Sequence, residues 1–336
     1  MAEWLVEAGI GEDRAILLDR GEIRAARIDW GDAAGTLRPG LVAQAQIVAR
    51  AASSRRGTAR FADGAQALVD ALPPEATEGS HLMLRVTRAA IAERGRTKLP
   101  HARPAPRDTP RPAPGLLDTL RAGTDPVRLL PVTDRAFDDA DWDELVEQAL
   151  TGEIAFTGGS LTISPTPAMT LVDVDGTLPP RQLALAAAPA IAAALGRLDL
   201  GGSVGIDFPS LAEKRDRHAV DEAIAAALAQ VPDGWRGERT AMNGFGFVQL
   251  VSRLERPSLV ALLARRPAAA AARMLLRKAE RVAEPGRLLL TAHPAVIRAT
   301  PAHWIDELAR RTGRLIEWRE QPGLAPAAAF AQALAT

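Results

Sequence analysis

Two short apolar runs that each close on aspartate, with a helix-length segment between them, constrain this chain's fold more than any other feature. The first is Met169-Thr170-Leu171-Val172-Asp173-Val174-Asp175, the second Gly201-Gly202-Ser203-Val204-Gly205-Ile206-Asp207-Phe208. Residues 181–196 between them read as a helix. A strand–helix–strand unit with apolar strands implies a right-handed crossover and a parallel strand pair. Asp173 and Asp207, 34 positions apart, then fall at the same end of adjacent strands, where ligands bind in open sheets. Carboxylates so placed can hold a hard cation such as Mg2+ beside a phosphate. An unpaired carboxylate ending a buried strand is costly, which favours a ligand over a capping role.

The surrounding pattern extends this unit. A strand at 160–163 precedes it, and a helix at about 212–230 and an apolar strand at 245–251 follow. Near the N-terminus, Ala15-Ile16-Leu17-Leu18 and residues 23–28 flank the turn Asp19-Arg20-Gly21-Glu22, a hairpin signal. Strand-like pieces at 42–49, 57–61, 67–69 and 81–87, separated by Gly and Pro, suggest a small barrel of OB type. Residues 103–114 hold five prolines and read as a semi-rigid linker without helix or central strand. Residues 138–150 read as one amphipathic helix with Trp142, Leu145, Val146 and Ala149 on one side. An Ala-rich helix (268–283) leads to a strand at 288–292, a helix at 303–312 and a strand at 315–318.

Composition narrows the chemistry. The chain has 336 residues, 47% of them apolar, enough for two or three domains. It has no Cys, so disulfides and thiolate metal sites are excluded. No run of 18 apolar residues occurs, and Glu3, Glu7, Glu12, Asp13 and Asp19 crowd the start. The expectation is a cytoplasmic protein with neither a membrane span nor a signal peptide. Net charge is zero, but residues 50–111 carry twelve Lys/Arg against six acids. Such a surface suits a polyanion, and a plain solvated face explains it equally well.

Two family resemblances follow from these residues. Asp173-Val174-Asp175-Gly176-Thr177-Leu178 after an apolar strand resembles the opening motif of haloacid dehalogenase-like phosphatases, with the first Asp as nucleophile and the second as acid/base. That motif normally opens its domain, whereas 150 residues and a strand come first here. The downstream acidic pair and the Lys at a strand–loop junction are also missing. A second resemblance covers nearly the whole chain. Residues 12–21 (EDRAILLDRG), 86–88 with 92–99 (AERGRTKL), 156–163 (FTGGSLTI), 198–208 (LDLGGSVGIDF), 241–253 (AMNGFGFVQLVSR), 256–259, 293–296 and 315–317 match, in order, segments of the ribonuclease E/G family of endoribonucleases. The Leu-Asp-Leu-Gly-Gly run leading to Ile-Asp-Phe is the most specific.

The resemblance implies an α/β (α+β multidomain) protein. An N-terminal hairpin region (1–35) packs on the catalytic domain, followed by an OB-fold (S1-type) RNA-binding barrel (36–102) and a Pro-rich linker (103–115). A ribonuclease H-like catalytic domain (116–259) and a helix plus small α/β domain (260–336) complete it. The implied activity is Mg2+-dependent cleavage of single-stranded RNA in RNA processing or decay, rRNA processing included. Asp173 and Asp207 are then metal ligands and catalytic, and Asp175 is the third catalytic residue, at the position where the family usually has an Asn that hydrogen-bonds the attacking water or the phosphate. RNA contacts would come from Phe61, Arg94, Arg96, Lys98 and Arg215.

Several positions depart from the family pattern. The region that senses an RNA 5′-monophosphate is mostly missing. The two Cys that share zinc between subunits are absent, so any homo-oligomer lacks that link. Ser210, Gly244 and Gln249 replace an Asp, an Arg and a Glu. A catalytically impaired RNA-binding relative therefore stays open beside the nuclease, and the phosphatase beside both.

Overall fold

The described residues, 1–31, 37–93, 96–232 and 235–334 of a computed structural model, form a barrel and four sheets, one of them a two-stranded hairpin. Strands β1 (Glu3–Gly9), β2 (Glu12–Asp19) and β3 (Glu22–Asp29) form an antiparallel meander. The β2–β3 turn holds Arg20 at φ 55 and Gly21 at φ 84, the left-handed pair that matches strand twist in a two-residue hairpin.

Strands β4 (Val42–Arg50), β5 (Gly57–Phe61), β6 (Gln66–Val69) and β7 (His81–Arg88) follow. A small hairpin of β8 (Ile91–Glu93) and β9 (Arg96–Lys98) precedes β10 (His101–Pro104). β4 to β7 and β10 close into a barrel in which β4 pairs with β5 and β7, and β10 lies parallel to β6. Alternation puts Ile47, Ala59, Phe61, Val69, Leu84 and Val86 inside.

The proline stretch differs from the linker expected. Arg103 and Pro104 belong to β10, and Val42 and Arg111 exchange both backbone hydrogen bonds (2.9 and 3.0 Å). Pro104 pairs with β7 only, beyond the last β6 partner, so the ladder does not need its missing N–H on that side. The segment is a strap bound to the barrel.

Helix α1 (Leu116–Arg121) leads to β11 (Val127–Leu130), which pairs in parallel with β1. Residues 127–130, expected within the catalytic unit, instead complete the N-terminal sheet. The single helix expected over 138–150 is two, α2 (Ala136–Asp139) and α3 (Trp142–Thr151). Asp141 at φ 58 breaks the run.

The next unit comprises β12 (Glu153–Phe156), β13 (Gly159–Pro165), β14 (Thr170–Gly176), α4 (Pro180–Arg197), β15 (Ser203–Asp207), α5 (Lys214–Leu228), β16 (Gly237–Arg239) and β17 (Phe247–Ser252). Its six strands run in the order β12-β13-β14-β15-β17-β16, with β14 and β15 parallel and the other pairs antiparallel. One face, with Val172, Val174, Val204, Ile206, Val248 and Leu250, is buried in the core shared with α4, α5 and the N-terminal sheet. The other face is largely open.

Helices α6 (Leu259–Arg265) and α7 (Pro267–Glu280) lead to β18 (Arg287–Ala292), α8 (Pro294–Arg298), α9 (Ala302–Thr312), β19 (Ile316–Glu320) and β20 (Phe330–Leu334), a three-stranded sheet centred on β18. Helix α7 is held to the N-terminal sheet by buried charge. Glu7, 1% exposed, accepts from Arg14 at 2.7 Å and pairs with Arg277 and Arg281. Arg14 lies 4.3 Å from the Phe137 ring centroid and 4.9 Å from that of Trp142. Arg273 sits between Trp30 and Trp304 at 4.2 and 4.5 Å. Burial, then the neighbouring Arg277, lowers the Arg14 pKa to about 10, still charged at neutral pH. Among the described residues no helix is long and apolar enough to cross a membrane.

Candidate functional site

Register brings the two aspartates together. β14 and β15 pair so that Asp173 lies directly opposite Asp207, about 4.8 Å away across the sheet. Directly opposite residues share a face, so both carboxylates rise from the same side. On β14 the alternation leaves Leu171, Asp173 and Asp175 exposed and buries Val172 and Val174. Asp173 thus stands mid-strand and Asp207 at the end of β15. Both occupy the open face rather than the end of a wholly buried strand, so desolvation acts on them only in part, and the neighbouring carboxylates add to it. Partial burial, then the charge of Asp175, then that of Asp207 and a hydrogen bond with Asp175 hold the Asp173 carboxyl above its ordinary 3.8.

This shift fixes a sign. A carboxyl whose pKa rises on folding contributes stability that is complete below the ordinary carboxylate value and lost as pH rises through the raised one. Ionised Asp173 therefore opposes folding at neutral pH. Asp173→Asn is expected to raise the thermal midpoint of the metal-free protein at pH 7, by no more than about 2 °C for so exposed a group, and to leave it unchanged near pH 3. Calorimetry at the two pH values checks this.

The face around the pair is shaped by glycine and phenylalanine. Phe247 is the register partner of Asp207, and its ring reaches across β15: a Cβ on Gly205 would lie 2.5 Å from Phe247 Cζ and 2.9 Å from Met169 Sδ. Gly205 therefore leaves room for the ring over β15, where any larger residue would displace it. The preceding turn is fixed by Asn243, whose Oδ1 accepts from the N–H groups of Phe245 (2.9 Å) and Phe247 (3.0 Å). The strand expected from residue 245 begins only at Phe247, and Phe245 stands on the turn, 84% exposed.

The structure separates the other sequence candidates. Phe61 is 5% exposed and packs in the barrel core, so it cannot stack a base. Phe61→Ala is expected to cost about 3–5 kcal/mol, seen as a lower denaturant midpoint. Arg94 and the Arg96 side chain lie outside the described residues. Lys98 lines a crevice with Pro165, Met169, Thr170, Gly201 and Ser203, so the β8–β9 hairpin reaches the N-terminal edge of the strands carrying the aspartates. Arg215 is exposed on the first turn of α5, 4.0 Å from Asp216, which also pairs with Arg181 at 3.1 Å. Sequence reasoning passed over Phe245, although Asn243-Gly244 and Gly246 are turn residues that signal it.

Two carboxylates on an open face can bind a divalent cation while leaving its other positions to water and a phosphate. They do not make a closed cage. Among the described residues no group of three or more His, Asp or Glu side chains is arranged to hold a metal. Gln249, opposite Gly205 on β17, donates to Ser203 Oγ at 2.9 Å and adds no carboxylate. The donor set suits a hard, strongly hydrated ion such as Mg2+. Residues 117–254, from α1 to the end of β17, match the Ribonuclease E/G family. No curated protein matches the chain.

Proposed function

We propose, for a chain whose residues 117–254 are those of a ribonuclease E/G family member, that the face bearing Asp173 and Asp207 is the site of a Mg2+-dependent endoribonuclease acting on single-stranded RNA. The observation that carries this is the register of β14 and β15, which sets the two carboxylates opposite each other on an open face. Asp173 and Asp207 would hold the ion. Bound Mg2+ supplies an acidified water and stabilises charge on phosphorus. Asp175, the next residue on the same exposed face of β14, would position that carboxyl. The openness of the face suits a polymer that enters sideways.

The remaining parts fit this reading. The barrel's strand order, with its first strand between the second and fourth and its third parallel to its last, supports an OB-type RNA-binding unit. The ribonuclease H-like assignment rests on a central Asp-bearing strand with antiparallel strands on one side and a parallel Asp-bearing strand, reached through α4, on the other. Lys98, at the N-terminal edge of the aspartate strands, and Arg215, exposed on the first turn of α5, would meet backbone phosphates. We read the protein as cytoplasmic and any homo-oligomer as free of a zinc link. The family match favours this reading over the phosphatase.

The test uses an end-labelled unstructured oligoribonucleotide and its duplex. Internal cuts in the single strand with Mg2+, none with chelator and few in the duplex support the proposal. Salt-sensitive binding without cleavage in Mg2+ or Mn2+ replaces it with the non-catalytic relative. Millimolar Mg2+ is also expected to raise the thermal midpoint of the wild type but not of Asp173→Asn, since a ligand stabilises only the protein that binds it.

A further inference from the structure

Phe245 is the most exposed aromatic ring among the described residues, in a chain whose aromatic content is only 4%. Rings of this size are normally buried, and this one is held out by a rigid support. Asn243 Oδ1 caps the turn from within. Gly246 N–H donates to Asn243 O at 3.2 Å, and Gly246, at φ 89, closes the turn. A Cβ on Gly246 would lie 2.5 Å from Phe208 O, so the turn is pressed against the residue that follows Asp207. Upstream, the Asp221 carboxylate of α5 accepts from Met242 N–H (3.1 Å) and from Arg239 (3.0 Å). The turn is thus anchored to α5 on one side and to the Asp207 strand on the other.

We infer that Phe245 is a stacking platform for an unpaired nucleobase next to the phosphate at the Asp173–Asp207 pair; this rests on the nuclease reading above. The occupant follows from chemistry. An exposed ring on the turn that packs against Phe208, the residue after Asp207, in a unit that also exposes Asp173, Asp207, Lys214 and Arg215, suits a ligand that alternates flat bases with charged phosphates. An apolar protein surface would leave those charges unmatched. Stacking tolerates any base and needs it unpaired, so Phe245 would give preference for single strands without reading sequence. It also supplies what Phe61, closed inside the barrel, does not.

The experiment measures binding of a labelled single-stranded oligoribonucleotide in chelator, so that affinity is read without cleavage. Phe245→Ala and Phe245→Leu are expected to weaken binding about 5- to 150-fold, the range for one lost base–aromatic stack, and Phe245→Trp to keep wild-type affinity. An abasic nucleotide at one position should weaken the wild type by the same factor and Phe245→Ala no further. Unchanged affinity in Phe245→Ala, or full additivity with every abasic position, overturns the inference, as does loss of self-association on sedimentation with RNA affinity intact. The two proposals fail separately. Cleavage without coupling between Phe245 and any base sinks the platform alone. Coupling in a wild type that never cuts RNA sinks the nuclease reading and leaves the platform.

Discussion

Asp173→Asn and Asp207→Asn are each expected to lower Mg2+-dependent cleavage of single-stranded RNA at least about a thousandfold, while RNA affinity stays within about threefold of the wild type. A bound divalent ion contributes several kcal/mol of transition-state charge stabilisation, and about 4 kcal/mol corresponds to that factor. Each Asn is nearly isosteric and sits on an exposed sheet face, so the fold does not change. Affinity is kept because phosphate contacts come from cations, and removing a carboxylate from a crowded acidic face lessens repulsion of the backbone. Asp175→Asn separates positioning from ligation. It removes the neighbour that, after burial, does most to raise the Asp173 pKa. The acid limb of its pH–rate profile should move to lower pH, with the plateau rate within about tenfold. Single-turnover cleavage at saturating enzyme reads all three variants.

The second large effect concerns stability. Glu7→Ala is expected to destabilise the protein by about 3–5 kcal/mol, the loss seen when one partner leaves a buried ion pair. Glu7 faces three arginines: Arg14 on β2, Arg277 on α7 and Arg281 at the end of α7. Without it Arg14 and Arg277, 4% and 7% exposed in their side chains, are left facing each other. Glu12 compensates in part, pairing with Arg277 at 3.5 Å and accepting from Trp30 at 2.8 Å. Arg277→Met, which keeps a long apolar stem, should cost less than Glu7→Ala. Denaturant unfolding followed by Trp fluorescence measures both, since Trp30, Trp142 and Trp304 surround the network. Equal stability of Glu7→Ala and the wild type would mean that α7 is held without the Glu7 ion pairs, by its apolar contacts and by Arg273 between Trp30 and Trp304.

Much of the site was legible because it is local. The apolar runs around Asp173 and Asp207 and the helix between them contain all that sets a parallel pair, and the register followed. The face was not legible. Met169, Leu171 and Val172 make the first run look buried throughout, yet Leu171 is 39% exposed, since nothing in a strand's own residues says whether its second side meets another layer. Phe61 sits on a strand where either side of the barrel wall was open to it, and closure of the barrel put it inside. The pairing of β11 with β1 joins residues more than a hundred positions apart through four residues, too short a run to announce its partner. Pro104 hides β10, because proline is read as a strand breaker while its partners here leave its missing N–H unneeded.

The measurement that bears most directly on the carboxylate pair is a metal switch at Asp207. The chain has no Cys, so Asp207→Cys carries its only thiol, and a thiolate prefers softer ions to Mg2+. Cleavage of the single-stranded oligoribonucleotide by this variant should fall about a thousandfold in Mg2+ and return in Mn2+ or Cd2+, with the wild type active in Mg2+ throughout. Wild-type rates from Asp207→Cys in Mg2+ would contradict the account, because the cut would not then depend on the ion held between Asp173 and Asp207.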